Sequence, residues 1–202
     1  IATTVRSSAS ARSIPGDRVA LGIIGAGSYV TGQHAPSLKR LDNLFRVHGI
    51  ASRGGLTAAS LARDLSADVV TTDYRELLED DSIDAVLIAT RHSSHAGLVL
   101  EALSAGKHVF VEKPMCLTTV EGEAIVQRSE DTGLVVRVGF NRRFAPMIKT
   151  ALATFRETGR VVESVVIRVN VATSQGHWSF DPSEGGRFLG EAVHFIDLAN
   201  HL

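Results

Sequence analysis

Apolar runs of strand length alternate with segments of helical periodicity along most of this chain. Residues 19–24 read as a buried strand and residues 29–41 as the helix that follows it. The pairing repeats at 46–51 before 57–65, at 85–89 before 95–105 and at 108–112 before 120–132, with a last apolar run at 135–139. Such alternation predicts an α/β fold, a parallel sheet wound by helices on both faces, with ligands in the crevice beyond the carboxyl ends of the strands. The chemistry-bearing residues fall at those ends. Gly25, Gly27 and Ser28 follow the run at 19–24, and Ser52 and Arg53 follow that at 46–51. Thr90, His92 and His95 follow 85–89, Lys113 follows 108–112, and Arg142 and Arg143 follow 135–139.

Gly25-Ala26-Gly27 turns the first strand into the first helix. A pyrophosphate can rest on such a helix N-terminus, where free N–H groups and the positive dipole end attract an anion. Gly25 would permit the turn, Gly27 would let the backbone approach the phosphates, and Ser28 and Tyr29 open the helix beside them. The other reading is an ordinary strand-to-helix turn. The third fingerprint position is Val30 instead of Gly or Ala, and its bulk is expected to push the helix slightly off the strand. In dinucleotide folds an acid about 20 residues later binds the ribose 2′-hydroxyl, whereas an arginine accepts a 2′-phosphate. Here Ile50-Ala-Ser-Arg-Gly-Gly55 has no acid, so Arg53 favours NADP(H) over NAD(H). The alternative is a solvated Arg53 with NAD(H) held through backbone contacts.

Composition narrows the partners. The 202 residues suffice for one full domain and part of another, and 44% hydrophobic content suits a globular core. A formal net charge of −1 gives no broad basic footprint for nucleic acid. Cys116 is the only cysteine, which excludes an internal disulfide and fits a reducing, cytoplasmic setting; packing is its expected role. No apolar run approaches the roughly 20 residues that span a membrane. Residues 1–18, rich in Ser, Thr, Ala and Arg and containing Pro15-Gly16, read as a flexible tail or linker. Residues 190–202 form a helical pattern that stops without a cap, so a fragment of a longer protein is expected.

Five strings occur in order: Gly25-Ala-Gly27, Ala89-Thr-Arg-His-Ser-Ser-His95, Ala105-Gly-Lys-His-Val-Phe-Val-Glu-Lys-Pro114, Gly139-Phe-Asn-Arg-Arg-Phe144 and Gly185-Gly-Arg-Phe-Leu-Gly-Glu-Ala-Val-His-Phe-Ile-Asp197. In that order they resemble the Gfo/Idh/MocA oxidoreductases, named for glucose-fructose oxidoreductase and inositol dehydrogenase, and the resemblance covers residues 19–202. It implies a Rossmann domain at 19–141, a doubly wound parallel sheet, followed at 142–202 by the start of an α+β substrate domain. Residues 144–158 would be the connecting helix and 161–171 the first long strand of that domain's mostly antiparallel sheet. The implied activity is NAD(P)-dependent hydride transfer to or from a secondary alcohol of a sugar, cyclitol or sugar nucleotide, by a homo-oligomer in the full-length protein. A non-catalytic dinucleotide sensor of the same fold is the alternative. More narrowly, His177-Trp178, Asp181-Pro182 and Gly190-Glu191 resemble a branch fused behind a zinc alcohol-dehydrogenase-like domain, which would make 1–18 the interdomain linker.

The resemblance makes Lys113 the lysine beside the substrate hydroxyl, and a partly desolvated ammonium there can fall in pKa and share a proton. A surface lysine before a turn proline is the plainer reading. A cis peptide before Pro114 would hold Lys113 inward and Glu112 would orient it. His194 lies three residues after Glu191 and three before Asp197, so each neighbours it on a helix. Ala192, Phe195, Ile196, Ala199 and Leu202 supply the expected core stripe, with His194 beside it. By resemblance His194 is the general acid/base; a satisfied half-buried histidine is the alternative. Relatives often carry an aspartate four residues earlier, where this chain has Gly190, leaving Glu191 as the available acid. Thr90, His92 and His95 would pass the cofactor. Two histidines without a carboxylate or thiolate cluster do not suggest a metal. Arg142 and Arg143 suit a phosphorylated substrate or a salt-bridged hinge, and His177 and Trp178 suit a wall for a sugar ring or loop packing, with Asp197 on the same substrate side.

Overall fold

Strand β2 (Val19–Ile24) lies at the centre of a seven-stranded sheet. The other strands are β1 (Thr4–Arg6), β3 (Phe45–Ala51), β4 (Val69–Thr71), β5 (Ala85–Ile88), β6 (His108–Val111) and β7 (Val136–Val138), ordered β1-β4-β3-β2-β5-β6-β7. This computed structural model describes residues 4–6, 18–170, 176, 178 and 181–202. β2 to β7 run parallel, and β1 pairs antiparallel with β4. The chain winds from β2 outward to β4 and returns to β5 on the other side of β2, which puts the topological switch between β2 and β5.

Alternate strand residues feed two cores, because successive side chains point to opposite faces. Ile24, Val86 and Ile88 pack on one side with Leu98, Val99 and Leu103 of α4 (His95–Ser104) and Ile125 of α5 (Thr119–Thr132). Leu21, Ile23 and Leu87 pack on the other with Val30, with Ala35 of α1 (Ala35–Arg40) and with Ala58, Leu61 and Ala62 of α2 (Gly55–Leu65). Full burial of each large aliphatic contributes about 1.5–3 kcal/mol. The remaining α-helices among the described residues are α3 (Arg75–Leu78), α6 (Pro146–Glu157) and α7 (Val193–His201). The paired strands and helices of the sequence pattern all form, with ends within two residues of those expected. β4 and α3 escaped the pattern because three and four residues are too few to display a period.

The first helix begins as a π segment at Val30–His34. Pro36 lacks an N–H and its ring crowds the carbonyl four residues back, so the turn before it widens and Ala35 N–H bonds to Val30 C=O. Val30 is completely buried in that turn, within the core on its face of the sheet.

Three expectations change. The presumed linker at 1–18 contains β1, and Arg18 donates to the Asp42 carbonyl at 2.8 Å; residues 1–3 and 7–17 lie outside the described residues. The strand expected at 161–171 is absent over its described residues, 161–170, which carry no ladder and are mostly exposed. A strand exists only by pairing, and no described strand lies beside this segment. The apolar stripe of α7 is not its buried face: His194 and Leu198 are buried, while Phe195, Ile196 and Ala199 line an open groove of about 630 Å³ with Val165, Ile167 and Val169.

Candidate active site

The glycine turn lies at the switch point and its two glycines do different work. Gly25 has φ of +104°, and a Cβ there would stand 2.4 Å from the carbonyl oxygen of Ala89, so the turn is pressed against the end of β5. At Gly27 a Cβ would meet nothing within 4 Å. Helical turns start at residue 28, and Thr31 N–H already bonds to Gly27 C=O at 3.1 Å. Open space above a helix N-terminus fits a pyrophosphate, so the cradle suits a dinucleotide. Ser28 and Tyr29 are exposed at its rim, and Ser52 and the exposed Arg53 end the neighbouring strand β3.

Lys113 follows β6, with a cis peptide between it and Pro114. It is half-buried, and its Nζ donates to the backbone carbonyl of Gly190 in the π segment Phe188–Ala192 that precedes α7. Burial pulls its ammonium below the ordinary lysine value, Arg142 adds to that, and Glu191 and Glu112 oppose it. His194 stands on the same side at 8% exposure, and its Nδ1 is buried without a hydrogen-bond partner among the described residues. Burial also lowers the pKa of His194, with Lys113 and Arg142 adding to the fall and Glu191 and Glu112 opposing it. Phe140 closes one side, its ring 6.3 Å from the imidazole. The crevice therefore brings together a lysine and a histidine whose pKa values burial lowers, a ring nitrogen unpaired among the described residues, and the Glu191 carboxylate.

The other expected residues are occupied differently. His95 is 1% exposed, with Nδ1 2.7 Å from the Pro114 carbonyl and Nε2 3.3 Å from that of Thr90; it ties two strand-end loops together and its ring is not available to a cofactor. His92 Nδ1 lies 2.9 Å from the Glu184 carbonyl, and the Glu184 carboxylate takes the Ser93 N–H at 2.9 Å. Trp178 packs edge-on against His92 at 4.8 Å and under the Arg91 guanidinium at 4.1 Å, which is loop packing. His177 lies outside the described residues. Arg143 makes a two-point ion pair with Asp197, its Nε 3.0 Å from Oδ2, so each side chain is held by the other. Arg142 is exposed, its guanidinium 4.4 Å from the Phe195 ring centre. Thr90 shares a 2.7 Å hydroxyl contact with Ser94. Cys116 packs against the core, and burial raises its thiol pKa. No group of metal-ligating side chains occurs among the described residues.

Glu112 holds a surprise. Its carboxylate is taken by His34, Nε2 to Oε1 at 2.7 Å, instead of by its neighbour Lys113. Nothing in the periodic pattern singles out His34, because the contact spans 78 residues.

A doubly wound sheet with a glycine turn at its switch point defines a dinucleotide-binding α/β protein. The chain belongs to the Gfo/Idh/MocA oxidoreductase family: the sequence model of that family, described by its NAD-binding Rossmann fold, matches residues 19–140. It is 33% identical over 147 residues to a scyllo-inositol 2-dehydrogenase (NAD(+)) of Bacillus subtilis, covering 72% of this chain and 42% of that protein. It is 38% identical over 126 residues to a 4-carboxy-2-hydroxymuconate-6-semialdehyde dehydrogenase of a Sphingobium species, covering 62% of this chain and 39% of that one. Among solved structures it resembles a 3-ketoreductase from Actinomadura kijaniata in complex with NADP and TDP-benzene, at 26% identity and a TM-score of 0.77, over 91% of this chain and 57% of that one. The chain spans about half the length of the curated relatives it matches.

Proposed function

We propose that the protein transfers hydride between a nicotinamide dinucleotide and a secondary alcohol of a sugar, cyclitol or sugar nucleotide. The observation that carries this reading is the pair of Lys113, half-buried with a lowered pKa at the carboxyl end of the sheet, and His194, whose buried Nδ1 has no partner among the described residues. The bound dinucleotide would supply the hydride acceptor or donor. Gly25, Gly27, Ser28 and Tyr29 would hold its phosphate half, Ser52 and Arg53 its adenosine ribose, and Thr90 and Glu112 would flank its path. In oxidation, Lys113 in its deprotonated form would take the hydroxyl proton on Nζ, while His194 would hold the reacting oxygen and Glu191 would steady the charge that develops. In the reverse direction the same groups return the proton. The exposed Arg142 would take an anionic part of a substrate in this reading.

Residues 19–141 would form the cofactor domain, and residues 142–202 the first part of a substrate domain completed in a longer, oligomeric protein. NADP(H) is the preferred cofactor in this reading, supported by the exposed Arg53 and the lack of an acid after β3. The single cysteine supports a reducing, cytoplasmic setting. The test is to incubate the full-length protein with NAD⁺ or NADP⁺ and a panel of inositols, sugars and nucleotide sugars, following reduced nicotinamide by absorbance. Turnover that Lys113→Met abolishes supports the proposal. Tight dinucleotide binding with no turnover on any polyol overturns it in favour of a sensor.

A further inference from the structure

Glu112 and Lys113 are consecutive and oppositely charged, yet they do not pair. The Glu112 carboxylate goes to His34 Nε2 at 2.7 Å, and the Lys113 ammonium goes to the Gly190 carbonyl. The geometry that keeps them apart is built from three elements. His34 ends the π segment after the glycine turn, and its ring is wedged edge-on between Tyr29 at 5.5 Å and Phe110 at 5.7 Å. On its other side the carboxylate lies flat on Gly139, where a Cβ would come within 2.8 Å of Oε1 and 2.9 Å of Oε2. Tyr29 is steadied in turn by Asn141, whose amide donates to its hydroxyl at 3.4 Å. Side-chain exposures of 17% for His34 and 11% for Glu112 mean that water does little to loosen this contact.

We propose that His34 is a positioning residue: it sequesters the Glu112 carboxylate and so keeps Lys113 out of an ion pair with its own neighbour, free to take the substrate proton. The inference rests on the oxidoreductase reading of the site for its purpose, but not for its geometry. A lysine locked against a carboxylate stays charged to higher pH and is a poorer base. The charged and titratable groups around Lys113 are Glu112 beside it, Glu191 and His194 on the terminal helical segment, Arg142 after β7 and His92 after β5. Around His34 they are Glu112 and Tyr29. Glu112 is the one whose position depends directly on His34.

The experiment measures the titration of Lys113 without requiring turnover, by competitive acetylation of the full-length protein across pH with peptide mass spectrometry. In His34→Ala the released carboxylate pairs with Lys113, and the labelling midpoint of Lys113 moves to higher pH. His34→Gln, which can still donate to Glu112, stays near wild type. His34→Ala combined with Glu112→Gln loses the upward shift. An unchanged midpoint in His34→Ala, or an upward shift that survives in the double variant, overturns the proposal. Thermal unfolding of each variant identifies any that fail to fold, and for those His34→Leu, which has no donor for Glu112, replaces His34→Ala with the same expectation. If no polyol is turned over while these shifts appear, the oxidoreductase reading fails and the positioning stands.

Discussion

Lys113 and Gly190 are joined by a hydrogen bond from ammonium to backbone carbonyl across 77 residues of sequence. The contact fastens the loop after β6 to the π segment that leads into α7, and the Lys113 charge is among those that lower the pKa of His194. Here a carbonyl takes the ammonium without neutralising it, and the nearest acid on that segment is Glu191.

Removing the proton acceptor should cost rate and little else. In the full-length protein Lys113→Met should cut turnover by about 10² to 10⁴ while dinucleotide affinity holds. His194→Ala should also slow turnover. If the two act as one unit, the double variant should be little worse than the poorer single. Steady-state kinetics decide it, and full activity in Lys113→Met removes the catalytic assignment.

Glu191 raises the pKa of Lys113 against the effect of burial. Glu191→Gln should therefore shift the rising limb of the oxidation pH profile toward lower pH, since the base loses its proton more readily. A limb that stays in place would show that Glu191 does not act on Lys113.

The two glycines of the turn should fail in different ways. Gly27→Val adds a side chain in open space, so the unfolding midpoint should hold while NADPH binding, read by its fluorescence, is lost. Gly25→Val drives a Cβ to 2.4 Å from the Ala89 carbonyl at a positive φ, so it should lower the unfolding midpoint. Unchanged NADPH affinity in Gly27→Val would contradict the phosphate site.

Arg53→Asp should weaken NADPH more than NADH, because the exchange replaces a partner of the 2′-phosphate with a charge that repels it. Equal losses for both cofactors would remove the case for NADP(H).

Acid should destabilise the fold through buried histidines. His92, His95 and His194 all have pKa values lowered, chiefly by burial. The folded state then binds fewer protons than the unfolded state between those lowered values and the ordinary value of about 6.5, so stability rises with pH across that window. Their contribution is fully present above about 6.5 and drains away on acidification toward the folded values. Urea midpoints at pH about 7 and about 5 should fall accordingly, and a flat profile would contradict it.

The alternation of apolar runs by itself determined the α/β sheet, its helices and the strand ends where the chemistry collects. Each of those elements is local: a period of two or of about 3.6 is written in neighbouring residues. The glycine turn and the lysine before a cis proline were legible for the same reason, since each is a short string tied to one strand end. Where the chain's periodicity was too short, as in β4, or needed a partner, as at 161–170, the pattern misled or was silent. Only the tertiary structure decided that Glu112 faces His34 and not Lys113, that Arg143 is spent on Asp197, and that α7 buries His194 while its apolar stripe lines a groove. Those outcomes are choices among partners far apart in sequence, and a side chain's partner is settled by which surfaces the packed sheet brings within reach.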